Sequence, residues 1–135
     1  MYLVDTNVLS EASKPAPDAD VIEWLAMTPE RHLFLSAMTF GEVRKGVELI
    51  RRRDPKRAND LERWLANVTA QFYDRIVPVD EPIAEQWGRL EAERPVPFVD
   101  GLIAATALVR GWIVATRNVR DFERMGVTTY NPFPD

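Results

Sequence analysis

The chain has 135 residues, 46% of them hydrophobic and 28% charged, which is the composition of one globular domain rather than two. It contains no cysteine, and this excludes a disulfide framework, a thiolate metal site and a thiol nucleophile. A net charge of −4 argues against a simple DNA-binding module, but not against an enzyme that handles nucleic acid through metal ions. Because the N-terminus lacks a basic leader and no apolar run is long enough to span a membrane, we expect a cytoplasmic protein.

The chain begins with a short apolar run, Tyr2–Val4, which is followed at once by Asp5, Thr6 and Asn7. This pattern predicts a buried strand that ends in an Asx-type turn. Such a strand would be central to a sheet. Its end would place the Asp5 carboxylate at the carboxyl edge, where open α/β folds bind their ligands. The alternative is that Asp5 only caps the turn.

Helical and strand-like patterns alternate along the rest of the chain. The first half predicts, in order, a short helix near Asn7–Ala12, a helix from Asp18 to Met27, a strand at His32–Ser36 and a helical hairpin whose helices start at Thr39 and Asp54. The second half predicts an edge strand at Arg75–Asp80, a helix capped by Asp80, a helix at Phe98–Val109, a strand at Trp112–Thr116, a short helix within Arg117–Met125 and a candidate strand at Val127–Tyr130.

Strands that alternate with helices imply βαβ crossovers, and hence a mostly parallel sheet with helices on both faces. We therefore predict a single domain over residues 1–135. Its fold class is α/β, a three-layer α/β/α sandwich whose mostly parallel sheet has four to five strands.

Several carboxylates follow the predicted strand ends or begin predicted helices. Glu42 lies in Thr39-Phe-Gly-Glu42, which matches a capping box, and spacing alone favours this structural role over a functional one. Asp100 is the only charged residue between Val96 and Val109. Because an unpaired buried carboxylate is costly, Asp100 is an N-cap, is exposed, or binds a cation.

Polar residues also follow the fourth predicted strand, where Asn118 and Asp121 come after Thr116. Asp121 has its own structural explanation, since a helix dipole favours an acid in the first turn. A parallel sheet would nevertheless gather all of these groups at one edge, and a divalent cation would offset their repulsion. Ligands that are all oxygen suit Mg²⁺ or Mn²⁺ rather than Zn²⁺, and such sites activate water for attack on a phosphodiester.

Four stretches of the sequence resemble, in the right order, the motifs of PIN-domain ribonucleases. They are Val4–Leu9, Ser36–Gly46, Asp100–Ala107 and Thr116–Phe122. Together they span nearly the whole chain, and the resemblance is closest to the VapC-like toxins of bacterial and archaeal toxin–antitoxin pairs.

The resemblance implies a metal-dependent endoribonuclease that uses Mg²⁺, with Mn²⁺ as an alternative ion. It implies that Asp5 and Asp100 are the principal metal ligands and that Glu42 is a further ligand or a base that orients water. The fourth acidic position has two candidates. Asn118 stands where many relatives carry Asp, and Asp121 is the nearby carboxylate. We therefore take Asp121 as the fourth catalytic candidate. The residues predicted to contact the substrate or support the ligands are Thr6, Asn7, Thr116 and Asn118.

The resemblance also implies the strand order 3-2-1-4-5 and a set of partners. These are an RNA substrate, a cognate antitoxin and a second copy of the chain, with a larger hetero-oligomer when the antitoxin is bound. No membrane partner is expected. The basic cluster at Arg51–Arg53, Lys56 and Arg57 is either a solvated helix turn or a patch that contacts phosphate or antitoxin.

Two phosphotransfer classes and a non-catalytic binding module are alternatives. A haloacid dehalogenase-like enzyme also begins with a strand ending in Asp, but it expects a second Asp where this chain has Asn7. A response-regulator receiver would use Asp80 as phosphoacceptor and would need a Lys where this chain has Arg117. A non-catalytic module would lack nuclease activity with divalent ions.

Overall fold

The fold is built on one parallel sheet, described here for residues 1–134 of a computed structural model. Its five strands are β1 (Tyr2–Val4), β2 (Leu33–Ser36), β3 (Ile76–Val77), β4 (Ile113–Ala115) and β5 (Thr129–Tyr130). They lie in the order β3-β2-β1-β4-β5, and every neighbouring pair is parallel. The first strand is therefore central and the predicted strand order is confirmed.

Helices connect these strands. They are α1 (Thr6–Glu11), α2 (Ala19–Met27), α3 (Ala37–Arg51), α4 (Pro55–Gln71), α5 (Glu81–Glu93), α6 (Phe98–Arg110) and α7 (Val119–Glu123), with a 3-10 turn at Glu30–His32. Local signals set several of their ends. Asp18, Asp54 and Asp80 each accept a hydrogen bond from a backbone N–H in the first turn of α2, α4 and α5. Gly111 ends α6 in the left-handed conformation, with φ of 72°.

Successive residues of β1 face opposite layers of the molecule, as the pleat of a strand requires. Leu3 packs in a buried cluster with residues of α5, α6 and α7, among them Ile83, Ile103 and Phe122. Val4 packs on the other face with residues of α1, α2 and α4, among them Val8, Val21 and Val68. The predicted three-layer sandwich is thus confirmed, and its parallel crossovers bring the carboxyl ends of β1, β2 and β4 to one edge.

The predicted helical hairpin is present, since α3 and α4 share a core cluster of Val43, Val47, Ala58, Leu61 and Leu65. The predicted start of α3 at Thr39 is wrong. Ser36 is the N-cap, and its Oγ accepts from the Met38 N–H at 3.1 Å. Thr39 lies inside the helix, fully buried, and its hydroxyl has no hydrogen-bond partner among residues 1–134.

The two outer strands are shorter than predicted. β3 ends at Val77, immediately before Pro78, because proline has no N–H to donate to a strand ladder. β5 covers only Thr129–Tyr130 of the predicted Val127–Tyr130. Within the described part of the chain, no helix is both long and apolar enough to cross a bilayer.

Candidate active site

Asp5 lies at the end of the central strand and is only 3% exposed. Its Oδ1 accepts from the Thr6 backbone N–H at 2.8 Å, which caps α1. Its Oδ2 accepts from the Thr116 hydroxyl at 2.7 Å. Asp5 therefore caps α1 through one oxygen, and its other oxygen joins the end of β1 to the residue that follows β4, so capping is not its only contact.

Glu42 lies on α3, in the helix that follows β2. Its Oε1 accepts from the Thr6 hydroxyl at 2.6 Å. The capping box predicted at Thr39 would have directed Glu42 to the Thr39 backbone N–H, but α3 begins earlier and that box does not form. Glu42 instead points toward the end of β1, so the structural explanation that competed with a functional one is wrong.

Asp100 lies in the first turn of α6 and is partly buried. The interpretation of Asp100 as an N-cap is wrong, because α6 begins at Phe98 and Pro97 occupies the N-cap position. Within residues 1–134, the Asp100 carboxylate has neither a hydrogen bond nor an ion pair. Burial raises its pKa, and the charges of Glu42 and Asp121 raise it further.

Burial also raises the pKa of Asp5, to about 6. The hydrogen bonds from Thr116 and Thr6 oppose this effect, whereas the charges of Asp100 and Glu42 add to it. Asp5, Glu42, Asp100 and Asp121 thus interact electrostatically, although they come from four distant parts of the sequence. Such mutual repulsion destabilises the ionised cluster in the absence of a cation.

The loop between β4 and α7 supports the site through hydrogen bonds. Thr116 accepts from the Asn118 backbone N–H at 2.9 Å with the same hydroxyl oxygen that donates to Asp5. Asn7 Oδ1 accepts from the Arg117 backbone N–H at 3.3 Å, which ties the first turn of α1 to this loop. The Asn118 side chain is exposed and makes no cap for α7.

Asp121 is exposed in the first turn of α7. Its charge raises the pKa of Asp100, so of the two candidates for the fourth acidic position it is the one that acts on Asp100. Asn118 contributes its backbone, through the bond to Thr116.

No pattern in the sequence indicates the role of Glu11, which is 6% exposed. Its carboxylate accepts from the Asp18 backbone N–H at 2.8 Å and pairs with Lys14 at 2.8 Å. These contacts connect the end of α1 to the start of α2. The pair with Lys14 has the i,i+3 spacing that is common on helices, whereas the contact with Asp18 spans seven residues, and only the folded chain reveals it.

The chemistry of these donors suits a hard cation, because every candidate ligand is an oxygen. Among the residues that the structure describes, no group of three His, Cys, Asp or Glu side chains is already arranged to hold a metal ion. Mg²⁺ does not require such a cage, since it keeps several waters and is usually bound through one or two carboxylates. Two carboxylates such as Asp5 and Asp100 therefore fit Mg²⁺ better than a structural zinc.

The receiver alternative fails at its central residue. Asp80 is exposed beyond the edge strand β3, and its side chain caps α5 by accepting from the Ile83 backbone N–H at 3.1 Å. A phosphoacceptor in that position would lie two strands away from Asp5.

Comparison with known proteins gives a consistent result. The chain matches the PIN domain family over residues 2–127. It is 36% identical to toxin FitB of Neisseria gonorrhoeae, with the whole of both chains covered. It is 33% identical to the VapC ribonuclease Y4jK of Sinorhizobium fredii, with 98% of each covered. Its fold matches the crystal structure of FitAcB from Neisseria gonorrhoeae with a TM-score of 0.89, at 36% identity over 98% of each chain.

Proposed function

This chain belongs to the PIN-domain family, and we propose that it is a metal-dependent endoribonuclease and the toxin of a toxin–antitoxin pair. Its similarity to a FitB toxin and a VapC ribonuclease supports the assignment. PIN-domain ribonucleases depend on metal in general. The observation in this chain that carries the proposal is the electrostatic coupling of Asp5 and Asp100 to Glu42, which identifies a carboxylate cluster that a cation would relieve.

Asp5 and Asp100 are the proposed principal ligands of Mg²⁺, with Mn²⁺ as an alternative. Glu42 is a third ligand or the base that orients the attacking water, and Asp121 adds the fourth negative charge. The metal would activate water and stabilise the in-line displacement at the phosphodiester. Thr6 supports two of these acids, since its N–H bonds to Asp5 and its hydroxyl to Glu42.

Thr116, Asn7 and Asn118 hold the other side of the site. Thr116 bonds to Asp5, and Asn7 bonds to the loop that follows β4. Any direct contact of Asn7 or Asn118 with the substrate is part of the proposal. We further propose that residues 1–135 form a single PIN-like domain that works in the cytoplasm.

The proposed partners are RNA, a cognate antitoxin and a second copy of this chain. A two-fold dimer would use an apolar helical face of the α3–α4 hairpin or of α5, and the antitoxin would bind a remaining apolar groove. A candidate groove of about 370 Å³ lies between α1, α2 and α4, lined by residues that include Leu25, Trp64 and Phe72. Light scattering that gives a monomer at high concentration would contradict the dimer.

The decisive experiment is cleavage of a panel of structured RNAs with Mg²⁺, with Mn²⁺ and with EDTA. We expect cleavage with either metal, no cleavage with EDTA, and loss of cleavage in Glu42→Gln. That variant keeps an oxygen for the Thr6 hydroxyl, so it should remain folded. Cleavage that persists in EDTA, or in the folded Glu42→Gln variant, would contradict the proposal. A small gene immediately upstream of this one would support the proposal that the protein has a cognate antitoxin.

A further inference from the structure

Two clefts adjoin the carboxylate site, one in each helical layer. The first, which we call the Lys14 cleft, has a volume of about 250 Å³, and its lining includes Thr6, Glu42, Ser10, Ser13, Lys14 and Arg57. The second, the Arg94 cleft, has a volume of about 220 Å³, and its lining includes Asp100, Asp121, Arg94 and Arg124. Each cleft therefore begins at two of the residues assigned to the site and continues to a pair of cations.

The Lys14 cleft lies between α1, α3 and α4. Lys14 Nζ pairs with Glu11 at 2.8 Å, but its side chain is 57% exposed, so the ammonium can still contact a ligand. Arg57 donates from Nη2 to the Ser13 carbonyl at 2.9 Å, and this is the only hydrogen bond of its guanidinium within residues 1–134. The remaining N–H groups of Arg57 can therefore bind an anion in the cleft, beside the hydroxyls of Ser10 and Ser13.

The Arg94 cleft lies between the α5–α6 loop, the start of α6 and α7. Arg94 donates from Nη2 to the Arg124 carbonyl, which holds the loop against the end of α7. In the part of the chain that the structure describes, neither arginine forms an ion pair, although Asp100 and Asp121 line the same cleft. Two guanidinium groups without a carboxylate partner beside an acidic site are a suitable surface for phosphate.

The sheet order places the two clefts on opposite sides of Asp5. Glu42 belongs to the helix after β2, Asp121 to the helix after β4, and β1 lies between those strands. The clefts also belong to opposite faces of the sheet, because α1 and α4 pack on one face and α5, α6 and α7 on the other. A ligand that occupied both clefts would cross the sheet edge directly over the carboxylates.

We propose that a single RNA strand runs from the Lys14 cleft, across the carboxylate site, into the Arg94 cleft. Lys14 and Arg57 contact phosphates on one side of the scissile bond, and Arg94 and Arg124 contact phosphates on the other. The inference rests on the proposed ribonuclease function and adds the path of the substrate and the cations that contact its phosphates. It also explains how a chain with a net charge of −4 holds a polyanion, since cations are concentrated where the strand enters and leaves.

The test uses three variants and one matched control. Arg57→Gln and Lys14→Gln remove a charge from the first cleft, and Arg124→Gln removes one from the second. Arg63→Gln is the control, because Arg63 is an exposed arginine of α4 that pairs with Asp60 and lines neither cleft. The probe is a fluorescein-labelled single-stranded oligoribonucleotide centred on a cleavage position found in the RNA panel, and binding is measured by anisotropy in EDTA.

We expect each cleft variant to weaken binding about 5- to 10-fold and to reduce the slope of log K against log salt by about 0.7, the value for one phosphate contact on a single strand. In cleavage assays KM should rise while kcat changes little, because these contacts bind substrate and transition state alike. Arg63→Gln should match the wild type. Melting curves confirm that the variants are folded. If loss of the Ser13 bond unfolds Arg57→Gln, Lys14→Gln tests the first cleft, because Lys14 is exposed and glutamine can still donate a hydrogen bond to Glu11.

Shortening the oligonucleotide from one end should abolish the effect of Arg124→Gln but not that of Arg57→Gln, and shortening from the other end should do the reverse. The path is wrong if the same truncation abolishes both effects, or if the cleft variants bind RNA as Arg63→Gln does while the wild type cleaves normally. It is also wrong if the variants lose affinity for the antitoxin and not for RNA, which would make the clefts a protein-binding surface. A wild type that neither binds nor cleaves RNA would instead overturn the ribonuclease proposal itself.

Discussion

The Thr116 hydroxyl donates a 2.7 Å hydrogen bond to Oδ2 of Asp5, although the two residues are 111 positions apart in the sequence. Thr116 is fully buried and Asp5 is 3% exposed, so the bond is shielded from water. It lowers the pKa of Asp5 and so opposes the effect of burial. The residue after β4 thereby helps to keep the acid at the end of β1 ionised.

Thr116→Val should therefore raise the apparent pKa of Asp5 further and shift the acidic limb of the pH–activity profile to higher pH. Valine has nearly the same shape as threonine, but it leaves Asp5 Oδ2 and the Asn118 N–H without their partner. We expect the free energy of unfolding to fall by about 1–3 kcal/mol for that reason. Urea unfolding and cleavage rates measured across a pH series check both expectations. Thr116→Ser, which keeps the hydroxyl, should restore the pH profile.

The raised pKa of Asp5 predicts how stability without metal depends on pH. The folded-state pKa of about 6 lies above the ordinary value of 3.8, so the folded protein binds this proton more tightly than the unfolded chain. The resulting stabilisation is fully present below about pH 3.8 and is lost as the pH rises through about 6. At 1.36 kcal/mol per pKa unit, the loss is of order 3 kcal/mol.

The measurement is urea unfolding in EDTA from acidic to neutral pH, for the wild type and Asp5→Asn. Because the other titrating groups are common to both proteins, the difference between the two curves reports Asp5 together with its coupling to Asp100 and Glu42. The stability of the wild type should fall relative to Asp5→Asn as the pH rises through 6. Parallel curves would show that Asp5 ionises as an ordinary exposed carboxyl does.

Asp100→Asn should abolish RNA cleavage without loss of stability in the absence of metal. The substitution keeps the shape of the side chain and removes a charge that Glu42 and Asp121 repel. Metal affinity should fall because an amide oxygen is a poorer ligand for Mg²⁺ than a carboxylate. Expression of the folded variant should not inhibit growth, and it should still bind the antitoxin.

Thermal unfolding with and without Mg²⁺, together with a cleavage assay, tests this expectation. The matched control is Asp20→Asn, because Asp20 also lies in the first turn of a helix, α2. If interaction with the helix dipole were the only role of Asp100, the two variants would lose similar stability and both would still cleave RNA. A fully active Asp100→Asn would exclude Asp100 as a metal ligand.

Ser36→Ala should destabilise the protein, whereas Thr39→Val should not. Ser36 caps α3, so its replacement by alanine should cost about 1 kcal/mol. The buried Thr39 hydroxyl has no partner among residues 1–134, so valine should be neutral or should stabilise the protein by about 1 kcal/mol. The denaturant midpoints of the two variants, compared with that of the wild type, test both expectations. If Thr39→Val destabilises the protein, that result would support the capping box at Thr39 that the sequence predicts.

Features of this protein that depend on neighbouring residues could be predicted from the sequence. The Asp18, Asp54 and Asp80 caps form because each side chain reaches an amide two or three residues ahead. The alternation of strands and helices also predicted a parallel three-layer sandwich, since parallel strands need crossovers. Local pattern also made the acids candidates, because they follow predicted strand ends or begin predicted helices, whereas the strand order and the roles of the acids as metal ligands were implied by the resemblance of four motifs to PIN-domain ribonucleases.

Long-range contacts could not be predicted, because they depend on which strands become neighbours. The pattern Thr39-Phe-Gly-Glu42 satisfies a local rule, yet Ser36 starts the helix earlier and Glu42 bonds to Thr6, 36 positions away. Asp100 likewise matched a cap on local grounds, and only its position beside Glu42 and Asp121 shows that other acids act on it.

The sequence by itself determined where the carboxylates stand along the chain and which strand ends and helix starts carry them. The tertiary structure decided which of these carboxylates interact and which distant residues they hydrogen-bond, as Asp5 does with Thr116. The physical reason is that a cap is formed within one turn, whereas the electrostatics of the site arise from strands β1, β2 and β4 lying side by side and burying their ends together.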